Sequence, residues 1–213
     1  MLICTGDHDM PRISDFRNED DLFCVFTFLL TMPGVPLIYY GDEIGMRGIP
    51  GLVSKEGGYT RTQCRTPMQW DSSVNAGFST APADKLYLPV DSAVDAPNVA
   101  EQQKREQSLW RKVRKLIHWR KRLPALQADS KFELVLADYP MIYIREKDDQ
   151  KVLVIIQPAN RPWKCRVPLK DIKGMTPLIG SWIRVKYLDD GLEFSGNGAE
   201  AGVFLLLPTL KNR

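Results

Sequence analysis

Five titratable side chains in the first third of the chain closely follow short apolar runs, and these are Asp7, His8, Asp9, Asp42 and Glu43. The first three come after residues 2–4, and the last two come after residues 35–40. Carboxylates and an imidazole can transfer protons, stabilise developing positive charge, accept sugar hydroxyls or bind a metal. Each cluster can equally be an ordinary polar loop at a strand end, so residue type alone leaves both interpretations open.

A third segment combines a cation with an aromatic side chain, because Arg65 and Trp70 stand close together around a proline. An indole offers an apolar face to a sugar ring, and a guanidinium offers a planar fork to hydroxyls or carboxylates. The surrounding stretch, 45–97, has weak periodicity, and a loop of that length inside a compact domain is usually functional or disordered. A small satellite core within the loop is the alternative interpretation.

The segment between the two acidic clusters predicts a helix followed by a buried strand. Asn18 can cap the helix, three acidic residues occupy its first turn, and Pro33 ends it. Residues 35–40 lack polar alternation, which is typical of a strand buried on both faces of a parallel sheet. Strand, helix and strand form a βαβ unit in which both strands point the same way. We therefore expect both acidic clusters at the carboxyl edge of one sheet, where α/β proteins bind their ligands.

The rest of the chain changes from helical to strand periodicity. One long helix is expected over 99–123. From Phe132 onward, short apolar runs alternate with turn-forming residues at a spacing of about 8–12 residues, which is typical of an antiparallel β-sandwich. The sequence thus predicts one domain at 1–125 and an antiparallel β-sandwich domain at 126–213.

Composition argues against several functional classes. With 29 basic and 26 acidic residues, the net charge of +3 gives no reason to expect a nucleic-acid partner. The apolar run 22–40 is interrupted by Pro-Gly, and neither part could cross a bilayer of ~30 Å, so no membrane partner is expected. Four scattered cysteines and two histidines form no ligand pattern. We expect reduced thiols, no metal, no cofactor and a cytoplasmic location.

Three motifs stand in a characteristic order along the chain: Gly6-Asp-His-Asp-Met-Pro-Arg12, Pro33-Gly-Val-Pro-Leu-Ile-Tyr-Tyr-Gly-Asp-Glu-Ile-Gly-Met46, and Cys64-Arg-Thr-Pro-Met-Gln-Trp-Asp71 with Asn75-Ala-Gly-Phe78. Together they resemble the alpha-amylase superfamily, glycoside hydrolase family thirteen. The similarity is to its branch of oligo-1,6-glucosidases, alpha-glucosidases and trehalose synthases. It covers residues 1–125 by motif and the remainder by architecture. It implies the C-terminal part of a (β/α)₈ TIM barrel followed by a β-sandwich.

The resemblance also implies roles for individual residues. The family acts on α-glucosidic bonds with retention, using a nucleophilic Asp, an acid/base Glu and a third carboxylate that stabilises the oxocarbenium-like state. Asp9 matches that third carboxylate. Contacts with an α-glucan or oligosaccharide substrate are implied for four further residues: His8, Arg12, Arg65 and Trp70. A supportive place at a strand end is implied for Asp42 and Glu43.

Two departures from the family pattern shape the expected activity. Asp7 stands where the family usually has Asn, which adds a negative charge beside Asp9. The nucleophile and the acid/base residue have no counterpart in this sequence, and the stretch 1–125 is half the length of a barrel of ~250 residues. Retaining hydrolysis needs two carboxylates about 5 Å apart across the bond. We therefore expect part of a retaining alpha-glucosidase that is inactive as an isolated chain.

Other functions remain open at this stage. A non-catalytic carbohydrate-binding or assembly module would keep the sugar-side residues without the nucleophile. A trehalose-synthase-like transglycosylase would share all the motifs. The missing N-terminal part of the barrel, or a second copy of the chain, is the expected partner for strands that otherwise lack neighbours.

Overall fold

The structure is a computed structural model that describes residues 1–54, 62–170 and 172–208. Three α-helices and ten β-strands occur in these residues: β1 Leu2–Cys4, α1 Glu19–Thr31, β2 Val35–Leu37, α2 Val99–Lys104, α3 Leu109–Arg122, β3 Lys131–Ala137, β4 Met141–Lys147, β5 Gln150–Gln157, β6 Trp163–Val167, β7 Ile172–Ile179, β8 Arg184–Leu188, β9 Gly191–Gly196 and β10 Glu200–Pro208. None of the helices in the described ranges is long and apolar enough to cross a membrane.

The described chain divides into two compact units that alternate along the sequence. The sheet unit comprises Met1–Ile3, Phe23–Val35 and the described residues from Arg114 onward. The loop unit comprises Cys4–Leu22 and the described residues of Pro36–Val113. The predicted domain boundary at 125/126 stays a prediction, since compactness and sequence relationship are separate criteria for a domain.

Helix α1 begins and ends as the sequence predicts. The Asn18 Oδ1 accepts hydrogen bonds from the backbone N–H groups of Asp20, at 2.9 Å, and Asp21, at 3.0 Å. The acidic first turn lies at the positive end of the helix macrodipole. In the part that belongs to the sheet unit, Phe23 and Phe26 are buried. Local capping and the burial of apolar side chains therefore both stabilise this helix.

Two arginines of the sheet unit bind the carboxyl end of α1. The Arg120 Nη1 donates to the carbonyl oxygens of Leu30, at 2.9 Å, and Met32, at 3.0 Å. Arg145 is fully buried and donates to the carbonyl oxygen of Thr31. Burial lowers the pKa of Arg145 to about 10, so its guanidinium is still charged at neutral pH. Both positive charges lie where the helix dipole is negative.

Strands β1 and β2 pair with each other and have exposed side chains. The N–H of Val35 donates to the Met1 carbonyl at 3.0 Å and the N–H of Thr5 to the Leu37 carbonyl at 3.1 Å, so the strands run parallel. The prediction of a strand buried on both faces over 35–40 is wrong, because β2 ends at Leu37 and its two apolar side chains are 57% and 42% exposed. Among the described strands, β2 has β1 as its only neighbour, so little protein surrounds these side chains.

The single helix expected over 99–123 is interrupted, and the structure has α2 and α3 instead. The Ser108 hydroxyl donates to the Gln102 carbonyl at 2.6 Å and accepts the backbone N–H of Arg111 at 3.3 Å. The Gln102 side chain in turn accepts the backbone N–H of Trp110 at 2.9 Å. These side chains supply partners that a continuous helix would have supplied from its own backbone, so Ser108 starts a new helix.

The sheet unit contains two antiparallel sheets, as the alternation of short apolar runs predicts. Their strand orders are β3-β4-β5-β10-β7 and β6-β9-β8. Strand β7 contains Gly174 and Pro177, which break a strand pattern, so periodicity alone does not predict it. It lies at a sheet edge, where proline is tolerated. Buried residues of both sheets share one apolar cluster, and these include Ile142, Leu153, Phe204, Trp163, Leu192 and Phe194.

Candidate active site

A buried ion pair joins the two acidic loops of the loop unit. The Arg12 Nη1 lies 3.1 Å from the Asp42 Oδ1, and both side chains are at most 1% exposed. The Thr5 hydroxyl donates to the Asp42 Oδ2 at 2.6 Å and accepts the backbone N–H of Tyr39 at 3.1 Å. Thr5, which precedes the first acidic loop, is therefore bonded to Tyr39 and Asp42, where the second acidic loop begins.

Arg12 is enclosed by this arrangement. Its guanidinium carbon lies 4.5 Å and 4.7 Å from the ring centroids of Tyr39 and Tyr40, within cation–π distance. Its Nη1 also donates to the Tyr40 carbonyl. Burial raises the pKa of Asp42, while the Thr5 hydroxyl and Arg12 favour its ionised form. The contact predicted between Arg12 and substrate stays a prediction. In the structure, the Arg12 guanidinium holds Asp42 and the Tyr40 carbonyl in place.

The loop that follows β1 presents His8 and Asp9 to solvent. The Asp7 Oδ1 accepts the backbone N–H of Asp9 at 2.7 Å, which forms a tight side-chain-to-backbone turn. An Asn side-chain oxygen could accept the same bond, so the departure at Asp7 keeps the turn and adds a charge. The His8 Nε2 lies 3.6 Å from the Asp9 Oδ2.

Arg65, from the long loop, reaches the same place. Its Nη2 donates to the Asp9 Oδ1 at 2.9 Å, and its Nε donates to the His8 carbonyl at 2.8 Å. The Cys64 thiol donates to that carbonyl at 3.4 Å, and burial raises the pKa of Cys64. The structure thus brings together three of the residues singled out in the sequence, His8, Asp9 and Arg65.

Hydrogen bonds shape the stretch from Thr66 to Phe78. The Tyr40 hydroxyl donates to the Thr66 carbonyl at 2.7 Å, and the backbone N–H of Trp70 donates to the Ala76 carbonyl at 2.8 Å. Gly77 has a φ of +70°, and a Cβ there would lie 2.8 Å from the Asp71 carboxylate oxygens. This turn therefore requires glycine.

This stretch forms one wall of an open cavity of about 430 Å³, which we call the aromatic cavity. It is lined by Tyr40, Glu43, Arg65, Pro67, Met68, Trp70, Phe78, Tyr87 and Leu88. Trp70 is 50% exposed and Tyr87 is 58% exposed, so their rings are accessible. The volume lies in the range of small-molecule sites, and flat apolar rings beside few polar groups suit a sugar ring.

The two residues of the second acidic cluster are separated by the fold. Asp42 forms the buried ion pair with Arg12, whereas Glu43 lines the aromatic cavity. Burial raises the pKa of Glu43, and backbone N–H groups of Gly41 and Glu43 itself oppose that rise. Its Oε2 is buried and has no hydrogen-bond partner in the part of the chain that the structure describes. Glu43 therefore offers the aromatic cavity a carboxylate that can accept a hydrogen bond from a ligand.

Sequence reasoning assigned no role to three of the aromatic residues that line the cavity. Phe78 lies inside a quoted motif, and Tyr40 ends the apolar run before Asp42. Tyr87 carries no local signal, because it follows a turn-rich stretch without periodicity. Only the fold of the loop brings Tyr87 beside Trp70. Across the described residues, no three His, Cys, Asp or Glu side chains are grouped to hold a metal ion.

Comparison with solved structures gives the class of fold. The crystal structure of Bacillus licheniformis trehalose-6-phosphate hydrolase matches 96% of this chain and 43% of that chain, with a TM-score of 0.77 and 23% identity. The loop unit and the parallel pair β1–β2 are therefore consistent with part of a TIM-barrel fold.

Comparison with sequences gives the family. Residues 2–129 match the family model described as alpha amylase, catalytic domain. The trehalose synthase/amylase TreS of Mycobacterium tuberculosis is 33% identical over 79% of this chain and 28% of its own length. The probable oligo-1,6-glucosidase 2 of Bacillus subtilis is 30% identical over 93% of this chain and 41% of its own length. The chain belongs to the alpha-amylase family, and it spans less than half of these relatives.

Proposed function

We propose that this chain forms the carboxy-terminal part of a retaining alpha-glucosidase-type glycoside hydrolase that acts on α-glucosidic bonds of oligosaccharides or α-glucans. The observation that carries the proposal is the 2.9 Å hydrogen bond between Arg65 and Asp9 beside the aromatic cavity. It unites the carboxylate expected to stabilise positive charge with the loop expected to bind sugar. The relatives named as glucosidase and trehalose synthase support the same substrate class.

Each site residue has a proposed role that follows from its position. Asp9 stabilises the positive charge that develops on the sugar. Arg65 holds Asp9 in place by donating from Nη2 to its carboxylate and from Nε to the neighbouring His8 carbonyl. His8 offers a ring nitrogen to a substrate hydroxyl, since its side chain is exposed. The half-exposed ring of Trp70 stacks on the apolar face of a sugar. Asp42 supports both loops through its ion pair.

The proposal includes an absence of turnover in the isolated chain. Asp9 and Asp7 belong to one turn and cannot flank a bond from opposite sides, and Asp42 is buried in its ion pair. The remaining N-terminal part of the barrel, or a second copy of the chain, is the proposed partner. We expect no hydrolysis of aryl α-glucosides, maltose or isomaltose by the purified chain. Turnover that disappears in Asp9→Ala would overturn this part of the proposal.

Sugar binding is the direct test of the site. We expect maltooligosaccharides to change the fluorescence of the chain with a dissociation constant on the order of millimolar. Trp70→Phe should abolish the change. Trp182→Phe is the matched control, because Trp182 is also an accessible indole but belongs to the sheet unit. A fluorescence change that survives Trp70→Phe and disappears in Trp182→Phe would contradict the assignment.

The aromatic cavity favours a second candidate, a non-catalytic carbohydrate-binding or assembly module. It predicts the same binding, but mixing the chain with a polypeptide that carries the first six barrel strands of a relative would restore no hydrolysis. Restored hydrolysis that depends on Asp9 would favour the enzyme. A trehalose-synthase-like transglycosylase would then be recognised by its product, because it would convert maltose to trehalose instead of hydrolysing it to glucose.

We further propose the domain limits and location that accompany this function. Residues 1–125 form the catalytic-domain part and residues 126–213 an antiparallel β-sandwich, supported by the family match over 2–129 and by the apolar cluster shared between two sheets. A cytoplasmic location is proposed from the free thiols of Cys4 and Cys165. Fractionation of the source cells would test it.

A further inference from the structure

A second cavity of the loop unit shares no lining residue with the aromatic cavity. It encloses about 500 Å³, and we call it the acidic cavity. Its chemistry comes from six of the residues that line it: Asp15, Phe16, Arg47, Gly48, Asp91 and Asp95. None of these belongs to the residues that the motifs single out for a role. The volume is within the range of small-molecule sites.

One part of the lining is a fixed guanidinium between two carboxylates. Arg47 donates from Nη1 and Nη2 to the two oxygens of Asp95, each at 2.9 Å, and its Nη2 lies 3.5 Å from the Asp91 Oδ2. The bidentate bond holds the guanidinium plane in one orientation. The Asp91 Oδ1 accepts the backbone N–H of Ala93 at 2.9 Å, so this carboxylate is also held in place.

Asp15 supplies another carboxylate whose orientation is set by the backbone. Its Oδ1 accepts the N–H of Gly48 at 2.7 Å. Within the described parts of the chain, no donor reaches its Oδ2. A Cβ on Gly48 would lie 3.3 Å from that Oδ2, so the glycine keeps the approach to it open. The cavity therefore presents an acceptor that the backbone holds in position.

Phe16 adds an apolar surface to this polar lining. Its side chain is 87% exposed, although it adjoins the cavity. A ring that the protein leaves uncovered can pack against the apolar face of a ligand and remove that area from water. Exposed ring, oriented acceptors and oriented donors together are what a pyranose ring with its hydroxyls requires.

The charges of the cavity decide between ligand classes. Three carboxylates against one guanidinium disfavour an anion. An ammonium ion has donors only, so it could use the carboxylates but not the guanidinium, and it would lie beside the positive charge of Arg47. A sugar hydroxyl both donates and accepts, so it matches carboxylates and guanidinium together. We propose that the acidic cavity is a second carbohydrate site that binds a glucosyl unit of an oligosaccharide, a ligand class that rests on the proposed function.

Nuclear magnetic resonance of the full ¹⁵N-labelled chain can test both cavities in one titration. Backbone amides of Gly48 and Ala93 report on the acidic cavity, and the indole N–H of Trp70 reports on the aromatic cavity. With maltohexaose up to about 20 mM, we expect saturable shifts of both sets. Phe16→Leu, which keeps an apolar side chain without the flat ring, should weaken binding at the acidic cavity about tenfold and leave the Trp70 shift intact. Val94→Ala is the matched control, because Val94 is fully exposed beside Asp95 and does not line the cavity.

The outcomes separate this inference from the proposed function. Shifts at Trp70 without shifts at Gly48 and Ala93 overturn the second site alone. Shifts at Gly48 and Ala93 without Trp70 support the second site and count against the proposed role of the aromatic cavity. Methylammonium chloride that shifts Gly48 and Ala93 where maltohexaose does not would overturn the inference in favour of a cation site. Equal weakening by Phe16→Leu and Val94→Ala would also overturn it.

Discussion

At the scale of single residues, Arg12 and Asp42 show why a charged pair can be structural in an active-site loop. Neither side chain is accessible to water, and Asp42 is bonded on both oxygens, by Arg12 and by Thr5. Breaking such a pair by removing one partner leaves the other charge buried without compensation. The side chain of Asp9, by contrast, is 44% exposed, although Arg65 donates to its Oδ1 at 2.9 Å.

We expect Asp42→Asn to lower the free energy of unfolding by about 3 kcal/mol, because Arg12 keeps its charge in a buried site. Urea unfolding followed by tryptophan fluorescence measures it. The double variant Arg12→Met with Asp42→Leu should lose less than the sum of the single variants, since both charges then leave together. Asp190→Asn, at an exposed carboxylate, is the control and should change stability by less than about 0.5 kcal/mol. Additive losses in the double variant would contradict the ion pair.

Glu43 gives a prediction that depends on pH. Burial raises its pKa in the folded protein above the ordinary 4.5 of the unfolded chain, so the folded state holds the proton more tightly. Ionisation of Glu43 therefore costs stability, and this cost grows as the pH rises from 4.5 through the raised pKa of the folded state. The cost is absent below pH 4.5. Glu43→Gln should raise the melting temperature by about 2 °C at pH 7 and leave it unchanged at pH 4. Glu133→Gln, at an exposed carboxylate, is the control, and an equal rise at both pH values would argue against the stated cause.

At the scale of elements, the interruption between α2 and α3 rests on one small side chain. Ser108 is fully buried and bonds both to the end of α2 and to the start of α3. Ser108→Ala should lower the free energy of unfolding by about 1 kcal/mol, the usual cost of a lost N-cap. Ser130→Ala tests a buried hydroxyl that caps no α-helix, so circular dichroism should show a loss of helix for Ser108 alone. Loss of helix in neither variant would mean that the break persists without the cap.

How far the sequence predicts these elements depends on whether the decisive contact is local. The start of α1 is readable because Asn18 bonds to residues two and three positions ahead. The helix break at Ser108 is not readable, because the Gln102 side chain that takes part in it is held by a 2.6 Å hydrogen bond to the carbonyl of Ile44, far away in the sequence. The edge strand β7 is not readable either, because Pro177 is tolerated only at a sheet edge. The site follows the same rule. His8, Asp9 and Arg65 carry motif signals, whereas Tyr87 reaches the cavity through a loop fold that no spacing encodes.

At the scale of the whole molecule, the pair β1–β2 leaves apolar side chains in water. Leu2, Val35 and Leu37 are all exposed on these two short strands. Exposed apolar strands with unpaired edges favour association with another chain. Unless the strands are covered by the proposed barrel partner, the chain should associate with itself.

We expect reversible self-association of the purified chain at high concentration, measured by sedimentation velocity. Val35→Lys should reduce it, because a charge on a strand edge opposes strand pairing. Val74→Lys is the matched control, since Val74 is also well exposed but belongs to a 3₁₀ turn rather than to either strand. A monomer at all concentrations, or equal effects of the two lysines, would contradict this expectation.

The alternation of the two units along the chain has a consequence for inheritance. Passing from Met1 to the last described residue, the backbone changes unit after Ile3, Leu22, Val35 and Val113. A single genetic crossover within 4–113 would therefore divide at least one compact unit between two parental sequences. Recombination could exchange either unit intact only through several crossovers at once. We therefore expect the segments of both units to be inherited together from one parental sequence.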